Sequence, residues 1–334
     1  MAKIILIGSA YPFRGGLASF NERLVRELNN QGHDASIITF TTQYPAFLFP
    51  GKTQFSSSTP PNDIVIERKL SSVNPLSWLS VANDIISQNP DIVLYKYWLP
   101  FMAPAFGSIA RRVKKKTHAK VIAILDNLIP HEKRIGDEML TKYFIKPVDG
   151  FITMSNSVHQ DLKAMNADKI SLLTPHPIFD NFGEPITKVE AKQKLGLDSN
   201  TNYILFFGFI REYKGLKLLL NAFSKTDYRK LNLKLIIAGE YYTDEKPYID
   251  LIEQLQLIDH VVQFNQFIAD ENVKYYFSSS DLLVQPYLHA TQSGVSQIAF
   301  QMNKPMIVTN VGGLPEMVNN GESGFIVEPD AQQL

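Results

Sequence analysis

Apolar runs of about four to six residues alternate with helix-period stretches along nearly the whole chain, and the alternation begins twice. In the first half the runs fall at residues 4–7, 36–40, 92–95, 121–125 and 151–154. Between them Leu17, Phe20, Leu24 and Leu28 recur at helical spacing, as do Phe144, Ile145 and Val148. The second series lies at 203–207, 233–238, 261–264, 281–284 and 306–309. Short runs alternating with helices imply a parallel sheet whose two faces are both covered. The pattern therefore predicts doubly wound α/β sheets. Residues 174–185, TPHPIFDNFGEP, break the rhythm with three prolines and several turn formers. At 334 residues the chain exceeds one ordinary core. We expect two Rossmann-like domains, residues 1–176 and 177–334, with ligands in a cleft between the carboxyl ends of both sets of strands.

Composition narrows the function. Lys plus Arg and Asp plus Glu each number 33, so the formal net charge is zero and the basic excess of a general nucleic-acid binder is absent. No stretch reaches the roughly 18–20 apolar residues that span a bilayer. The opening MAKIILIGSA has an apolar core of about five residues, against about 7–15 in a secretory signal, and reads as a buried strand. Without cysteine there is no disulfide framework and no thiolate nucleophile or metal ligand. A cytoplasmic protein is the expectation.

Two stretches stand outside the alternation. Residues 43–63 are rich in Pro and Ser and carry an apolar AFLFP, and a loop of this length is either a plain surface loop or a functional one. Residues 111–116, RRVKKK, close a helix. They are either a solvated helix end favoured by the macrodipole or a contact with the acidic inner face of a membrane.

The most informative stretch is 281–327, which reads as strand, turn, helix, strand, glycine turn, short helix, strand. Thr291, Gln292, Ser293 and Gly294 open its helix, whose first N–H groups lack partners and suit an anion. Near the N-terminus, Phe13-Arg14-Gly15-Gly16 follows the first strand. Its glycines either admit a phosphate or sugar close to the backbone or simply let strand and helix pack. It is not a G-x-G-x-x-G fingerprint, so a dinucleotide dehydrogenase gains no support. In the second half, residues 207–215, FGFIREYKG, follow a strand and enter a helix. Arg211 and Lys214 put two cations at the mouth of the sheet, where fixed positive charge stabilises a departing nucleoside diphosphate. The other reading, surface charge at a helix start, is opposed by the macrodipole.

Taken in order, FRGG near residue 15, GFIREYKG around Arg211, IIAGE at 236–240 and KPMIVTNVGGLPE at 304–316 resemble the family-4 glycosyltransferases over essentially the whole chain. The resemblance implies the two-domain GT-B fold. It also implies sugar transfer from a UDP- or GDP-linked donor with retention of configuration and without a metal or other cofactor. Arg211 and Lys214 would then hold the donor diphosphate, joined by backbone at Gly15, Gly16, Gly294 and Val295. Family members continue with further helices after a segment like 328–330, so the C-terminal domain is expected to be truncated at Leu334.

Two departures from the family pattern matter. The family's two glutamates, separated by seven residues, would fall at Ala290 and Ile298. Sugar and ribose hydroxyls must then find Gln292, Ser293 or backbone, and neutral hydrogen bonds are weaker than charged ones. Glu316 either reaches the same ligand or caps the short helix beside it. In the first domain, Asp126 occupies the family's histidine position, with Asn127 beside it and His131 a few residues on. Asp126 and Asn127 either orient and deprotonate an acceptor hydroxyl or form only a turn. His131 is open to three roles: general base, phosphate ligand or loop residue. Trp98 and Phe101 either stack on an acceptor sugar or pack, and His176 reads as a packed linker residue.

The expected function is a retaining glycosyltransferase acting on a saccharide or lipid-linked saccharide, in cell-surface polysaccharide or glycolipid synthesis, with peripheral membrane contact. The alternative is a nucleotide-sugar-binding protein with little or no transferase activity. A two-lobed solute-binding protein is a third reading, opposed by the absence of a secretion signal and by Arg211 and Lys214.

Overall fold

The computed structural model describes residues 1–49, 51–130, 134–165 and 169–334. The chain divides into two compact units, Met1–Pro175 and His176–Leu334.

The first unit holds strands β1 (Lys3–Ile7), β2 (Asp34–Thr42), β3 (Val65–Ser71), β4 (Ile92–Tyr97), β5 (Lys120–Leu125), β6 (Gly150–Thr153) and β7 (Ile170–Leu173). They form one sheet in the order β3-β2-β1-β4-β5-β6-β7, every pairing parallel. Its helices are α1 (Gly16–Asn30), α2 (Pro75–Gln88), α3 (Ala103–Lys116), α4 (Asp137–Ile145) and α5 (Asn156–Ala164). Local chemistry sets their starts. Asn74 caps α2 by accepting from Leu76 N, with Pro75 in the first turn, and Ser155 caps α5 by accepting from Val158 N. Both faces of the sheet are covered. Tyr95, Tyr97, Phe106 and Phe144 bury on one face, while Leu6, Val25, Ile37 and Leu94 bury on the other. Strand order reverses between β1 and β4, and ligands bind outside the carboxyl ends of strands at such a switch point.

The second unit repeats the plan. Its strands are β8 (Asn202–Phe207), β9 (Leu233–Ala238), β10 (Val261–Phe264), β11 (Leu282–Gln285), β12 (Met306–Thr309) and β13 (Gly324–Val327), in the order β10-β9-β8-β11-β12-β13. The helices are α6 (Lys188–Lys194), α7 (Leu216–Phe223), α8 (Lys246–Gln254), α9 (Val273–Ser279) and α10 (Gly294–Gln301). Here the switch point lies between β8 and β11.

Strands β3 and β7 were not among the expected runs. Both are edge strands, and β3 carries Glu67, Arg68 and Lys69 in succession between Ile66 and Leu70. The helix expected to open at 291–294 begins at Gly294, with Ser293 at its N-cap. Residues 43–63 contain a 3-10 turn, Ala46–Leu48, and an antiparallel bridge between Phe13 and Phe55. Arg14 N donates to Gln54 O (3.0 Å) and Ser56 N to Pro12 O (2.8 Å), which ties this loop to the turn before Gly15.

Candidate functional site

In the second unit, close backbone approaches at glycines assemble the carboxyl ends of the strands. Gly208 follows β8 at φ 104°, and a Cβ there would lie 3.1 Å from Lys214 Nζ and 3.5 Å from Val295 Cγ2. The bare Cα thus lets the lysine and the start of α10 converge. Gly215, at φ 69°, ends a 3-10 turn, Glu212–Lys214, and a Cβ there would strike Pro286 O at 1.8 Å. Leu288 N donates to Tyr213 O (2.7 Å) across the same junction. Gly312, in the turn after β12, sits as closely on Ala290, whose carbonyl oxygen would be 1.5 Å from an added Cβ.

Lys214 is buried, 9% exposed, with its Nζ 5.3 Å from the ring centroid of Tyr287. Burial opposes its charge, yet the phenols of Tyr287 and Tyr213 outweigh burial and hold the ammonium above the usual lysine value. The site therefore keeps a desolvated cation. Next to it, α10 begins without a side-chain cap, because the hydroxyl of Ser293 accepts from Gln285 Nε2 at 2.6 Å. The Ser296 hydroxyl donates to Gln285 Oε1 at 2.7 Å, which completes a buried polar network. The first amides of α10, including Gly294 and Val295, are thus left for an anion, and Lys214 lies beside them.

Arg211 is half-buried, its guanidinium 5.4 Å from the ring centroid of Tyr242. Tyr242 stacks on Phe209 at 4.3 Å, and Phe209 lies 6.1 Å from Phe267. Gln292 is half-buried and Glu316 exposed, within the 3-10 turn Pro315–Met317. Ala290 and Ile298, at the glutamate positions of the family, are both buried, so apolar packing takes the place of carboxylates there. A Cβ on Gly294 would lie 2.8 Å from the ring of Phe179. His176 lies 5.1 Å from Phe179 and shares a hydrogen bond of 2.8 Å with Pro177 O, so these linker residues pack onto the second unit.

In the first unit the switch point holds a buried ion pair that sequence reasoning missed. Lys96, 1% exposed, places its Nζ 2.8 Å from Asp126 Oδ1 and 3.4 Å from the ring centroid of Phe20. The signal was there: a lysine inside the apolar run IVLYKY. Burial pushes the Lys96 ammonium below its ordinary value, and the Asp126 charge opposes that push. Asp126 directly follows β5, where its N–H donates to Tyr97 O (2.9 Å), and its side chain is 14% exposed. Asn127 Oδ1 is buried and accepts no hydrogen bond among the described residues. His131 lies outside the described residues.

Gly15, at φ 100°, precedes α1, and a Cβ on Gly16 would meet nothing within 4 Å. That turn is open. Trp98 and Phe101 are partly buried and pack against the core. The Trp98 indole donates to Tyr44 OH (2.7 Å), and Phe101 stacks on Tyr44 at 5.9 Å. Among the described residues, no helix is long and apolar enough to cross a membrane, and no group of three His, Cys, Asp or Glu is placed to hold a metal ion.

Comparison with known proteins gives these turns a family. Residues 14–175 match the model of Glycosyltransferase Family 4, and residues 187–334 match that of Glycosyl transferases group 1. Over 143 residues the chain is 32% identical to an uncharacterised glycosyltransferase of Methanocaldococcus jannaschii, covering 42% of this chain but 36% of that one. It is 22% identical over 340 residues to N-acetyl-alpha-D-glucosaminyl L-malate synthase of Bacillus anthracis, covering 96% of this chain and 82% of that one. Among solved structures it is similar to Anabaena HepE in complex with UDP-glucose, at a TM-score of 0.74 and 16% identity, covering 99% of this chain and 87% of that one. With its two halves matched in order, the chain belongs to the group 1, family-4 glycosyltransferases of GT-B fold.

Proposed function

We propose that the chain moves a sugar from a UDP- or GDP-linked donor to a saccharide or lipid-linked saccharide, with retention of configuration and with no metal or other cofactor. The observation that carries this reading is Lys214, a buried cation beside the uncapped start of α10. As the bond between sugar and diphosphate breaks, negative charge grows on the leaving phosphate. Lys214, Arg211 and the amides of Gly294 and Val295 neutralise it, and the open turn at Gly15 and Gly16 is assigned to phosphate as well. Gln292, Ser293 and Glu316 serve the donor sugar and ribose. Asp126, Asn127 and His131 orient the acceptor hydroxyl, with Trp98 and Phe101 at its border. The UDP-glucose held by the Anabaena protein supports a nucleotide-sugar donor. The acceptor class points to polysaccharide or glycolipid synthesis in the cytoplasm at the inner face of a membrane.

A second reading, a nucleotide-sugar-binding protein with little transfer, is favoured by the buried Ala290 and Ile298, which cannot bind a hydroxyl. Titration with UDP and GDP, together with a donor hydrolysis assay, separates the two. Charge-assisted contacts are worth about 1.5–3 kcal/mol each, so Lys214→Ala and Arg211→Ala should each weaken nucleoside-diphosphate binding about tenfold or more. Unchanged affinity in both variants overturns the assignment of the diphosphate. Binding without sugar release or transfer from any donor leaves the binding-protein reading.

A further inference from the structure

Gln285 is the last residue of β11, paired in register with Val308 of β12, and it is fully buried. A buried primary amide demands hydrogen bonds at both its ends. Its Oε1 accepts from the Ser296 hydroxyl at 2.7 Å, and its Nε2 donates to the Ser293 hydroxyl at 2.6 Å. The Tyr287 hydroxyl stands further from Nε2, at 3.4 Å. Tyr287 also has a separate anchor, because the Thr309 hydroxyl donates to its backbone oxygen at 2.6 Å. The short contacts of Gln285 therefore go to the first turn of α10 and to the residue before it.

A serine just before a helix ordinarily turns its hydroxyl back to accept from the second or third amide of that helix, here Val295 or Ser296. Ser293 has the extended backbone of a capping serine, φ −139° and ψ 115°, yet its side chain forms no cap. Its hydroxyl is drawn to Gln285 instead. Ser296 N already donates to Ser293 O at 3.2 Å, so the amide at issue is that of Val295. Val295 and Lys214 converge on the bare Cα of Gly208, so this amide and the buried cation serve one place. Without the amide of Gln285, the nearest donor for the Ser293 hydroxyl is its own helix, and the Val295 N–H is taken. While it accepts from Gln285, the same hydroxyl still has its own proton to give to a ligand.

We infer that Gln285 is a positioning residue for the donor diphosphate: by holding the Ser293 hydroxyl it keeps the Val295 amide open to the ligand beside Lys214. This role rests on the assignment of the diphosphate to Lys214 and the start of α10, which does not itself require it. Titration of UDP and GDP into the full chain and its variants tests both. Gln285→Met keeps the length of the side chain without its hydrogen bonds, so Ser293 caps α10 and binding should weaken about fivefold, the effect of one helix cap. In the Ser293→Ala background no hydroxyl competes for the amide. Gln285→Met should then leave affinity where Ser293→Ala alone puts it. Gln285→Asn keeps an amide but draws it back by one methylene. It should weaken binding as Gln285→Met does, and it guards against misfolding of the apolar variant. Amide hydrogen exchange gives an independent readout: without nucleotide, the Val295 N–H should exchange more slowly in Gln285→Met than in the unaltered chain. Lys214→Ala separates this role from the assignment beneath it. If Lys214→Ala weakens binding while Gln285→Met and Gln285→Asn do not, Gln285 has no such role. The same follows if the loss is equal with and without the Ser293 hydroxyl, or if Val295 exchanges no more slowly in Gln285→Met. If the chain binds neither nucleotide, or Lys214→Ala binds both unchanged, the diphosphate assignment fails and the role of Gln285 fails with it.

Discussion

Lys96 and Lys214 are both buried at the carboxyl end of a parallel sheet, for opposite reasons. Lys96 has its counter-charge inside the protein, at 2.8 Å in Asp126, and the ring of Phe20 covers its other side. Lys214 faces phenols, which leave its charge to be met by a ligand. Two predictions separate them. Because its neighbours hold the Lys214 ammonium above the usual lysine value, its folded form stays protonated across the interval from neutral to mildly alkaline pH. Nucleoside-diphosphate affinity should therefore show no loss from lysine deprotonation across that interval, and a fall centred near pH 8 would sink the assignment. For Lys96 the consequence is stability. Asp126→Ala strands a buried cation and should cost about 3–5 kcal/mol in denaturant unfolding. The double variant Lys96→Met with Asp126→Asn, which removes both charges, should cost less than Asp126→Ala alone. Equal costs would mean that Asp126 contributes by packing and not by charge.

At the scale of elements, the glycine turns hold the second unit's site together. Gly215 and Gly312 combine positive φ with a backbone oxygen where a Cβ would go, at 1.8 Å and 1.5 Å. Neither neighbour is a flexible side chain that could swing away. Gly312→Ala should therefore destabilise the protein by more than the roughly 0.4–1 kcal/mol that a tolerated Gly→Ala change gains. It should also weaken donor binding by moving Ala290. Gly16→Ala, in open space at the start of α1, should be neutral or stabilising in the same unfolding measurement. These turns were legible in the sequence because glycine marks a backbone constraint directly. The buried strands were legible for a similar reason: burial on both faces writes an unbroken apolar run, as in IILI and LIIA. Edge strands leave a weaker trace, and β7, mostly exposed, has only four residues. A buried charge can show in the sequence, as Lys96 does inside IVLYKY, but the partners in ion pairs and networks do not. Nothing in the spacing of Lys96 and Asp126, or of Gln285 with Ser293 and Ser296, announces contact, because strand pairing brings the first pair together and the packing of α10 on the end of β11 brings the second group together.

At the scale of the whole molecule, the chain has separate hydrophobic cores, one set in residues Met1–Pro175 and another in His176–Leu334. Two cores permit two unfolding transitions, and a single overall stability is then not defined. The residues assigned to the donor diphosphate with the strongest geometry, Arg211, Lys214, Gly294 and Val295, all belong to the second unit. A ligand that binds only a folded state stabilises that state by about 2.7 kcal/mol at a hundredfold excess over its dissociation constant. For a unit of this size each kcal/mol raises the midpoint by about 2–4 °C, so UDP or GDP should lift the second unit's transition by about 5–10 °C. Scanning calorimetry with and without nucleotide reads this directly, and the assignment of each transition follows from Gly312→Ala, which should lower only the one that the nucleotide raises. If the nucleotide instead raises only the other transition, the phosphate-binding residues lie in the first unit, and Gly15 and Gly16 become the leading candidates. A common shift of both transitions would mean that the units unfold as one, and the nucleotide's effect on Lys214→Ala would then locate the site. The base giving the larger shift at equal concentration identifies the preferred donor nucleotide.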